Sequence, residues 1–309
     1  MSKSPWIEAM RLRTLPVSSA GVLAGCAIAI AYRHFDPLPA AICLVFAVAA
    51  QIVSNFANEY YDFINGLDRK GRQGFRRGVT EGDIKPEAMK RAMILLMIAD
   101  CALGCTLIHW GGLWLIAVGI LISIAAFAYS TGPWPLSHHG LGDEMVVIFY
   151  GFVPVTLTAY VQCGNWDGGE MAAELGEMWK MALLASLGIG VLGANVLTVN
   201  NVRDIKDDSR VGKRTKAVIF GATAMKVTYA ALTYIGLALV WYATLPAQTP
   251  WGWAGYTAVA VWFLPVIWAL FKFTGSELNK VLKYTAILLL ATTVWSIIDI
   301  VMAQVPGIA

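Results

Sequence analysis

The sequence predicts an all-α integral membrane protein with nine transmembrane helices, in a single domain over residues 1–309. Of the 309 residues, 58% are hydrophobic and only 14% are charged, a composition that the core of one soluble domain could not bury. Apolar stretches long enough to cross about 30 Å of hydrocarbon recur along the whole chain. Charged residues, Gly/Pro clusters, or Trp and Tyr bound each stretch, as is typical of transmembrane helices.

The predicted helices follow one another without a low-complexity segment or a linker between domains. Arg11 and Arg13 flank the start of the first predicted helix. This helix is too long for a removed signal peptide and lacks the small-residue cleavage site of one. In chain order, the nine segments cover residues 13–32, 38–58, 88–109, 112–130, 144–162, 180–200, 217–244, 252–271 and 282–304.

The distribution of Lys and Arg predicts the orientation of the chain in the membrane. Most basic side chains fall in the N-terminal segment and in the loops at 59–91, 201–216 and 272–283. Because basic loops stay on the cytoplasmic side, we expect the N-terminus and these loops to be cytoplasmic. An odd number of spans then leaves the C-terminus outside.

An acidic motif follows the second apolar segment. Asn58 and Asp62 are four residues apart and Glu59 precedes Asp62 by three, so a helix that continues from the membrane places them on one side. Gly66 allows the chain to turn and to bring Asp68 beside them. The motif therefore predicts a cluster of oxygen ligands at the cytoplasmic end of this helix.

A second motif of the same kind follows the sixth apolar segment. Asn200 and Asp204 repeat the spacing of Asn58 and Asp62, and Asp208 stands one helical turn further on. The two motifs are four helices apart. This offset predicts two related four-helix halves whose charged loops meet around a central cavity.

The clustered carboxylates and the bases near them predict a metal ion and a phosphate ligand. Carboxylates that are packed together repel one another, and Mg²⁺ relieves this while it completes its octahedron with waters and phosphate oxygens. The candidate Mg²⁺ ligands are Asp62, Asp68, Asp204, Asp208 and, ranked below them, Glu59, with Asn58 and Asn200 as neutral contacts to metal or phosphate. The candidate phosphate partners are Arg76, Arg77, Arg203, Lys213 and Arg214. Two such patches fit one diphosphate.

Two other interpretations of these loops stay open. Their charges could simply pair with one another at the helix ends, as in an ordinary polar loop. A metal transporter is the second alternative. It predicts acids within several spans, whereas Asp100 and Asp299 are isolated in the third and ninth segments.

Over nearly its whole length, the sequence resembles the UbiA-type superfamily of membrane prenyltransferases. That superfamily carries an Asn/Asp-rich motif after helix two and an Asp-x-x-x-Asp motif after helix six. Some stretches look like its MenA branch, the 1,4-dihydroxy-2-naphthoate prenyltransferases of menaquinone synthesis. They are residues 11–16, 58–62 with Asp68, 129–133, 140–143 and 200–204. The six-residue step from Asp62 to Asp68 supports this branch, because the 4-hydroxybenzoate enzymes usually space these acids four apart. Glu59 departs from the family, which generally has Asp there.

The resemblance implies a nine-helix bundle around a cavity that opens sideways to lipid, with two capping loops over the diphosphate on the cytoplasmic side of an inner membrane. It implies polyprenyl diphosphate, 1,4-dihydroxy-2-naphthoate and the lipid bilayer as partners. We expect no nucleic acid and no obligatory protein partner. Other acceptors, such as 4-hydroxybenzoate, homogentisate or haem, remain alternatives within the same fold, and a carrier or ion transporter is the alternative of another class.

The resemblance also implies roles in catalysis. Asp62, Asp68, Asp204 and Asp208 would hold Mg²⁺ against the leaving diphosphate, and the acceptor ring would attack the allylic cation and lose its carboxyl group. Aromatic faces can stabilise such a cation, and Tyr61 and Tyr129 are candidates, although tyrosines at helix ends also form interfacial belts. Arg11, Arg13 and the surroundings of Asp143 could orient the acceptor.

Overall fold

The computed structural model describes residues 4–71, 74–163 and 172–306, and all regular structure in these residues is helical. Nine long helices dominate the described chain. They are α1 (Leu15–Ala31), α2 (Pro37–Ile64), α3 (Pro86–Thr106), α4 (Leu115–Ser130), α5 (Gly142–Cys163), α6 (Ala172–Arg210), α7 (Ala222–Thr244), α8 (Gly252–Lys272) and α9 (Leu278–Ala303). Shorter helices occupy Pro5–Ala9, Gly78–Glu81, Ile108–Gly111 and Lys216–Phe220, and single 3₁₀ turns occupy Leu12–Thr14, Leu136–His138, Leu245–Ala247 and Gly275–Glu277.

Eight helical segments of the described residues are long and apolar enough to cross a membrane, so the chain is an integral membrane protein. They coincide with eight of the nine predicted spans. The remaining prediction, 112–130, forms α4, which has 16 residues. It begins later than expected because Gly112 has a φ of 83° and turns the chain before the helix starts.

Two helices extend further beyond the apolar segments than the hydrophobic pattern indicates. α2 continues to Ile64 and α6 to Arg210, because no Gly or Pro interrupts either helix between its apolar part and Gly66 or Gly212. Both glycines have a positive φ, 67° and 75°, which ends a helix at little steric cost. The acids of the second motif, expected in a loop, therefore stand on a rigid helix.

Helices α1 and α6 form the centre of the bundle. α6 packs against α1, α5, α7 and α9, and α1 also packs against α2, α5 and α9. Small residues allow these close contacts, since a Cβ at Gly151 of α5 would lie 2.5 Å from the Cα of Gly190 in α6. A Cβ at Gly21 of α1 would lie 2.6 Å from the carbonyl oxygen of Tyr150. Such backbone contacts are a common way for transmembrane helices to pack, and they fix where α2 and α6 present their polar ends.

Candidate functional site

The two acidic motifs lie side by side at one end of the bundle, around a polar pocket. Asp62 at the end of α2 accepts a hydrogen bond of 2.8 Å from the ammonium of Lys213, which follows α6. The sequence predicts that the two charged loops meet, and in the structure these two side chains are in contact. The residues that line this polar pocket are Arg11, Asn58, Asp62, Phe75, Arg77, Tyr129, Ser137, Gly140, Gly142, Asp143, Leu197, Asn200, Asn201, Arg203, Asp204, Asp208, Lys213, Thr215 and Lys216.

Arg77 organises the acids of the first motif. Its guanidinium lies 3.3 Å from Asp62 Oδ2, from Asp68 Oδ2 and from Asn58 Oδ1. The turn at Gly66 returns the chain so that Asp68 faces this guanidinium, as the sequence predicts. Arg77 is 5% exposed, and its Nη1 has no hydrogen-bond partner among the described residues. A buried guanidinium with an unused donor fits an anion such as a phosphate.

Arg203 pairs with an acid of the second motif, as Arg77 pairs with the acids of the first. Its guanidinium forms two hydrogen bonds of 2.7 Å to the two carboxylate oxygens of Asp204, and it also bonds Asn200 and Asn279 of α9. This side chain was predicted as a phosphate partner. In the structure its donors fix the orientation of Asp204, because a planar fork matches a carboxylate, and the side chain also lines the polar pocket.

The oxygen donors of the polar pocket fit a hard divalent cation that is shared with a substrate. In the residues that the structure describes, no three His, Cys, Asp or Glu side chains are close enough to hold a metal ion by themselves. Asp62, Asp204 and Asp208, with the amides of Asn58 and Asn200, nevertheless line one small space. Mg²⁺ uses one or two carboxylates and takes its other ligands from water and phosphate, so this donor set suits Mg²⁺ together with a diphosphate.

Glu59 differs from the other acids of the motif because it is fully buried and its carboxylate accepts a hydrogen bond from the main chain. Its Oε1 accepts a hydrogen bond of 3.0 Å from the N–H of Val79, near the start of the short helix Gly78–Glu81. Its Oε2 is buried without a partner among the described residues. The carboxylate therefore anchors the loop that carries Arg77, as a capping residue does at a helix N-terminus.

Two of the predicted phosphate partners stand away from the polar pocket. Arg76 is 48% exposed in its side chain and pairs with Asp83 and with Glu8, the latter at 3.6 Å. Arg214 is exposed, and its backbone N–H donates to the carbonyl oxygen of His138 over 2.9 Å. This backbone contact joins the 3₁₀ turn after α4 to the loop after α6.

Two further predicted residues lie beside the pocket but do not line it. The exposed Arg13 guanidinium lies 5.8 Å from the ring centroid of Phe75, which does line the pocket. Tyr61 packs edge-on against Tyr60 and Phe127, with centroid distances of 5.1 and 6.5 Å. These ring contacts give Tyr61 a packing role in the structure.

An apolar cavity of about 650 Å³ adjoins the polar pocket and runs between the helices. Its wall is built mainly from parts of α1 to α6 together with Leu282 of α9, and it includes Val22, Phe46, Gly119, Phe149 and Leu157. The two spaces share six lining residues: Arg11, Asn58, Phe75, Tyr129, Leu197 and Asn200. A charged head and a long apolar tail of one molecule could therefore occupy both spaces at once.

Three further residues line the polar pocket although they stand outside the Asn/Asp spacing of the two motifs: Asp143, Thr215 and Lys216. The resemblance pointed to the surroundings of Asp143, whereas no sequence pattern indicated Thr215 or Lys216 as site residues. Arg11 lines both spaces and has a left-handed backbone, with a φ of 51°. The available signal was the stretch at 140–143, which is apolar except for Asp143.

The comparisons with known proteins agree with this architecture. The sequence profile described as "UbiA prenyltransferase family" matches residues 19–296. The 1,4-dihydroxy-2-naphthoate octaprenyltransferase of Escherichia coli (strain K12) is 34% identical over 257 residues, 80% of this chain and 79% of that protein. The protein of the same name from Mycobacterium tuberculosis is 31% identical over 296 residues, 96% of this chain and 95% of that protein.

Solved structures share the same arrangement of helices. The apo structure of a UbiA homolog from Aeropyrum pernix K1 superposes with a TM-score of 0.66 at 15% identity, covering 99% of this chain and 100% of that chain. A UbiA homolog from Archaeoglobus fulgidus, bound to GPP and Mg²⁺, superposes with a TM-score of 0.59 at 17% identity, covering 96% and 100%. At these identities the likeness establishes the fold.

Proposed function

The chain belongs to the UbiA prenyltransferase family, and we propose that it transfers a polyprenyl group from polyprenyl diphosphate to 1,4-dihydroxy-2-naphthoate. The names of its octaprenyltransferase relatives support this acceptor. Loss of the carboxyl group of the acceptor during the transfer gives demethylmenaquinol. The enzyme thus serves menaquinone synthesis.

The observation that carries this proposal is the direct junction of the polar pocket with the apolar cavity. A polyprenyl diphosphate combines a small, highly charged head with a long apolar tail, and the two spaces have the matching polarity. Because Asn58, Tyr129 and Asn200 line both spaces, we expect the bond between head and tail to lie beside them. An apolar wall on the tail side keeps water away from this bond.

The acids of the two motifs are the residues that would hold the metal ion in this proposal. We assign Asp62, Asp68, Asp204 and Asp208 to Mg²⁺, with Asn58 and Asn200 contacting metal or phosphate. Mg²⁺, when bound, neutralises the leaving diphosphate and so favours departure of the allylic cation. Glu59 is assigned to holding the loop and not to the metal.

Arg77 and Lys213 are the phosphate partners in this assignment. Both line the polar pocket, and both pair there with Asp62, so a phosphate can replace that carboxylate as their partner. The ring of Tyr129 stands where the allylic carbon is expected and can stabilise its positive charge by its electron-rich face. The acceptor ring then forms a bond to that carbon.

We further propose that the chain lies in the cytoplasmic membrane of its cell, with the N-terminus and the active site on the cytoplasmic side and the C-terminus outside. The concentration of Lys and Arg in the loops beside the polar pocket supports this orientation. The apolar substrate can then reach the cavity from within the bilayer while its charged head stays at the surface.

The test is a transfer assay with purified protein in nanodiscs, using 1,4-dihydroxy-2-naphthoate, octaprenyl diphosphate and Mg²⁺. We expect a prenylated naphthohydroquinone together with diphosphate. Asp62→Asn, Asp204→Asn and EDTA should each lower the rate by about 100-fold or more, since each removes charge stabilisation of the leaving group. Asp83→Asn, a carboxylate of the same loop that pairs with Arg76 outside the pocket, should keep the wild-type rate.

The same assay separates the alternatives. Transfer to 4-hydroxybenzoate or homogentisate, without transfer to the naphthoate, would move the chain to another acceptor within the same family. Substrate-dependent flux across vesicles without any diphosphate release would instead make it a transporter.

A further inference from the structure

The structure assigns Asp143 and Lys216, which line the polar pocket together with the acidic motifs, to the recognition of an ortho-hydroxy aromatic carboxylate, with Asp143 accepting the hydroxyl proton during transfer. This inference rests on the proposed function, because it concerns the acceptor of that reaction. It adds a second subsite to the pocket, separate from the one that binds the diphosphate.

Asp143 and Lys216 form a pair with one unused oxygen. The Nζ of Lys216 lies 3.4 Å from Asp143 Oδ2 and 2.6 Å from Glu144 Oε1. Asp143 is 9% exposed, and its Oδ1 is buried without a hydrogen-bond partner among the described residues. A buried carboxylate oxygen without a donor costs free energy, so a ligand that brings a hydroxyl to it is favoured.

The position of the pair suits an acceptor next to the reacting carbon. Gly142 precedes Asp143, and a Cβ there would lie 3.6 Å from the hydroxyl oxygen of Tyr129 and 3.0 Å from Leu197 Cδ2. Tyr129 and Leu197 both belong to the lining that the polar pocket shares with the apolar cavity. An aromatic ring held by Asp143 would therefore stand beside the junction, where the allylic carbon is expected.

The chemistry of the pair matches two neighbouring groups of the acceptor. In such a substrate a hydroxyl and a carboxylate lie side by side on the ring. Asp143 offers a hydrogen-bond acceptor to the hydroxyl, and Lys216 beside it offers a cation to the carboxylate. Burial lowers the pKa of Lys216, but hydrogen bonds and charges from Glu144 and Asp143 more than offset this and raise its pKa above the ordinary value. Lys216 therefore stays protonated and can pair with the acceptor carboxylate.

The proton transfer needs no further reactant, because Asp143 first accepts the proton and later returns it. As the ring carbon that bears the carboxylate bonds to the allylic carbon, the hydroxyl proton passes to Asp143 Oδ1 and the hydroxyl becomes a ketone, while diphosphate leaves with the electrons of its C–O bond. The bond to the carboxylate then breaks and CO₂ leaves. The electron pair of the broken carbon–carbon bond stays with the ring and restores its aromaticity, and the ring oxygen takes the proton back from Asp143.

The test compares Michaelis constants for the two substrates in the same assay. We expect Lys216→Gln to raise the KM for 1,4-dihydroxy-2-naphthoate about tenfold or more while the KM for octaprenyl diphosphate changes by less than about twofold. Lys216→Arg, which keeps the charge, should restore most of this loss. Asp143→Asn should lower kcat about 100-fold or more with little change in the KM for the diphosphate, which also shows that the variant is folded.

Lys206→Gln is the matched control, because it makes the same substitution at an exposed lysine that does not line the pocket, and it should behave as wild type. An unchanged acceptor KM in Lys216→Gln, or an increase confined to the diphosphate KM, would overturn the assignment. So would Asp143→Asn with a kcat within about threefold of wild type. Failure of the wild type to prenylate the naphthoate at all would instead refute the proposed function, and this inference with it.

Discussion

Lys213 Nζ donates a hydrogen bond of 2.8 Å to Asp62 Oδ1, and this ion pair joins the two acidic motifs across the polar pocket. Its two side chains are 15% and 4% exposed, so the pair is shielded from water. A pair of this kind is strong but exchangeable, because a phosphate can take the place of the carboxylate beside the ammonium. In the proposed function Asp62 would then be available to a cation, and the pair would couple binding of the diphosphate to binding of the metal.

We predict that Lys213→Gln lowers kcat/KM for polyprenyl diphosphate by about 10- to 100-fold, because a charge-assisted contact to phosphate is lost. The KM for the acceptor should stay unchanged. Steady-state kinetics with each substrate varied in turn measures both effects. Lys206→Gln, at an exposed lysine in the last turns of α6, is the control and should match the wild type. A change in the KM for the acceptor, with kcat/KM for polyprenyl diphosphate unaffected, would contradict this role.

We predict that Glu59→Asp is more damaging than Glu59→Gln. The glutamine still offers an oxygen at the same reach to the N–H of Val79, whereas aspartate is one methylene shorter and leaves this buried donor without a partner. If Glu59 were a metal ligand, the order would be reversed, because aspartate would keep the charge and glutamine would lose it.

Two measurements separate these readings of Glu59. The rate at saturating Mg²⁺ should fall several-fold further in Glu59→Asp than in Glu59→Gln. Trypsin cleavage after Arg76 and Arg77 should also become faster in Glu59→Asp, since the loop that carries them loses its anchor. Equal cleavage in both variants, with activity lost only in Glu59→Gln, would return Glu59 to the metal site.

We predict that stability falls with decreasing pH in part because of His138. Burial lowers the pKa of His138 below its ordinary 6.5, and the neighbouring positive charge of Lys213 lowers it further. The folded state therefore binds fewer protons than the unfolded state near and below pH 6.5. The free energy of unfolding must then decrease as the pH falls from the unfolded pKa through the folded one.

The measurement is the thermal unfolding midpoint in detergent between about pH 7.5 and 5, a window around the ordinary pKa of histidine. His138→Gln removes the titrating group and should show a shallower decrease than the wild type in this window. His139→Gln is the control, because it removes an imidazole at the adjacent, exposed position. Identical slopes for the wild type and His138→Gln would exclude this contribution.

The helices and the two motifs follow from periodicities that the sequence carries directly. Asp204 and Asp208 are one turn apart on any helix, so their common face is independent of the rest of the fold. The ends of α2 and α6 were harder to place, because polar helical turns beyond the membrane have no hydrophobic signal. Only the glycines at 66 and 212 mark where these turns end.

The partners of the site residues could not be predicted, because they depend on how distant loops meet. Glu59 and Asp62 occupy one motif and carry the same charge, yet Glu59 meets the backbone of Val79 and Asp62 meets Lys213. The contact of Asp143 with Lys216 likewise requires the start of α5 to meet the short helix Lys216–Phe220, which is far away in sequence. Neither contact leaves a spacing that a single sequence reveals.

We predict that Gly119→Leu shortens the prenyl chain that the enzyme prefers. Gly119 of α4 lines the apolar cavity, and a Cβ at this position meets no atom within 4 Å, so a larger side chain enters open space without a clash. The added isobutyl group takes up volume that the distal isoprene units need. We therefore expect kcat/KM for octaprenyl diphosphate to fall about tenfold, while that for geranyl diphosphate stays within about twofold.

The control for this prediction is Leu121→Phe, which enlarges a side chain of the same helix that is 62% exposed and does not line the cavity. It should leave both donors unaffected. An equal loss with both donors in Gly119→Leu would mean that the helix itself was disturbed. No loss with either donor would mean that the tail leaves the cavity towards lipid before it reaches α4. Only isoprene units that pack against this wall are affected by the added group.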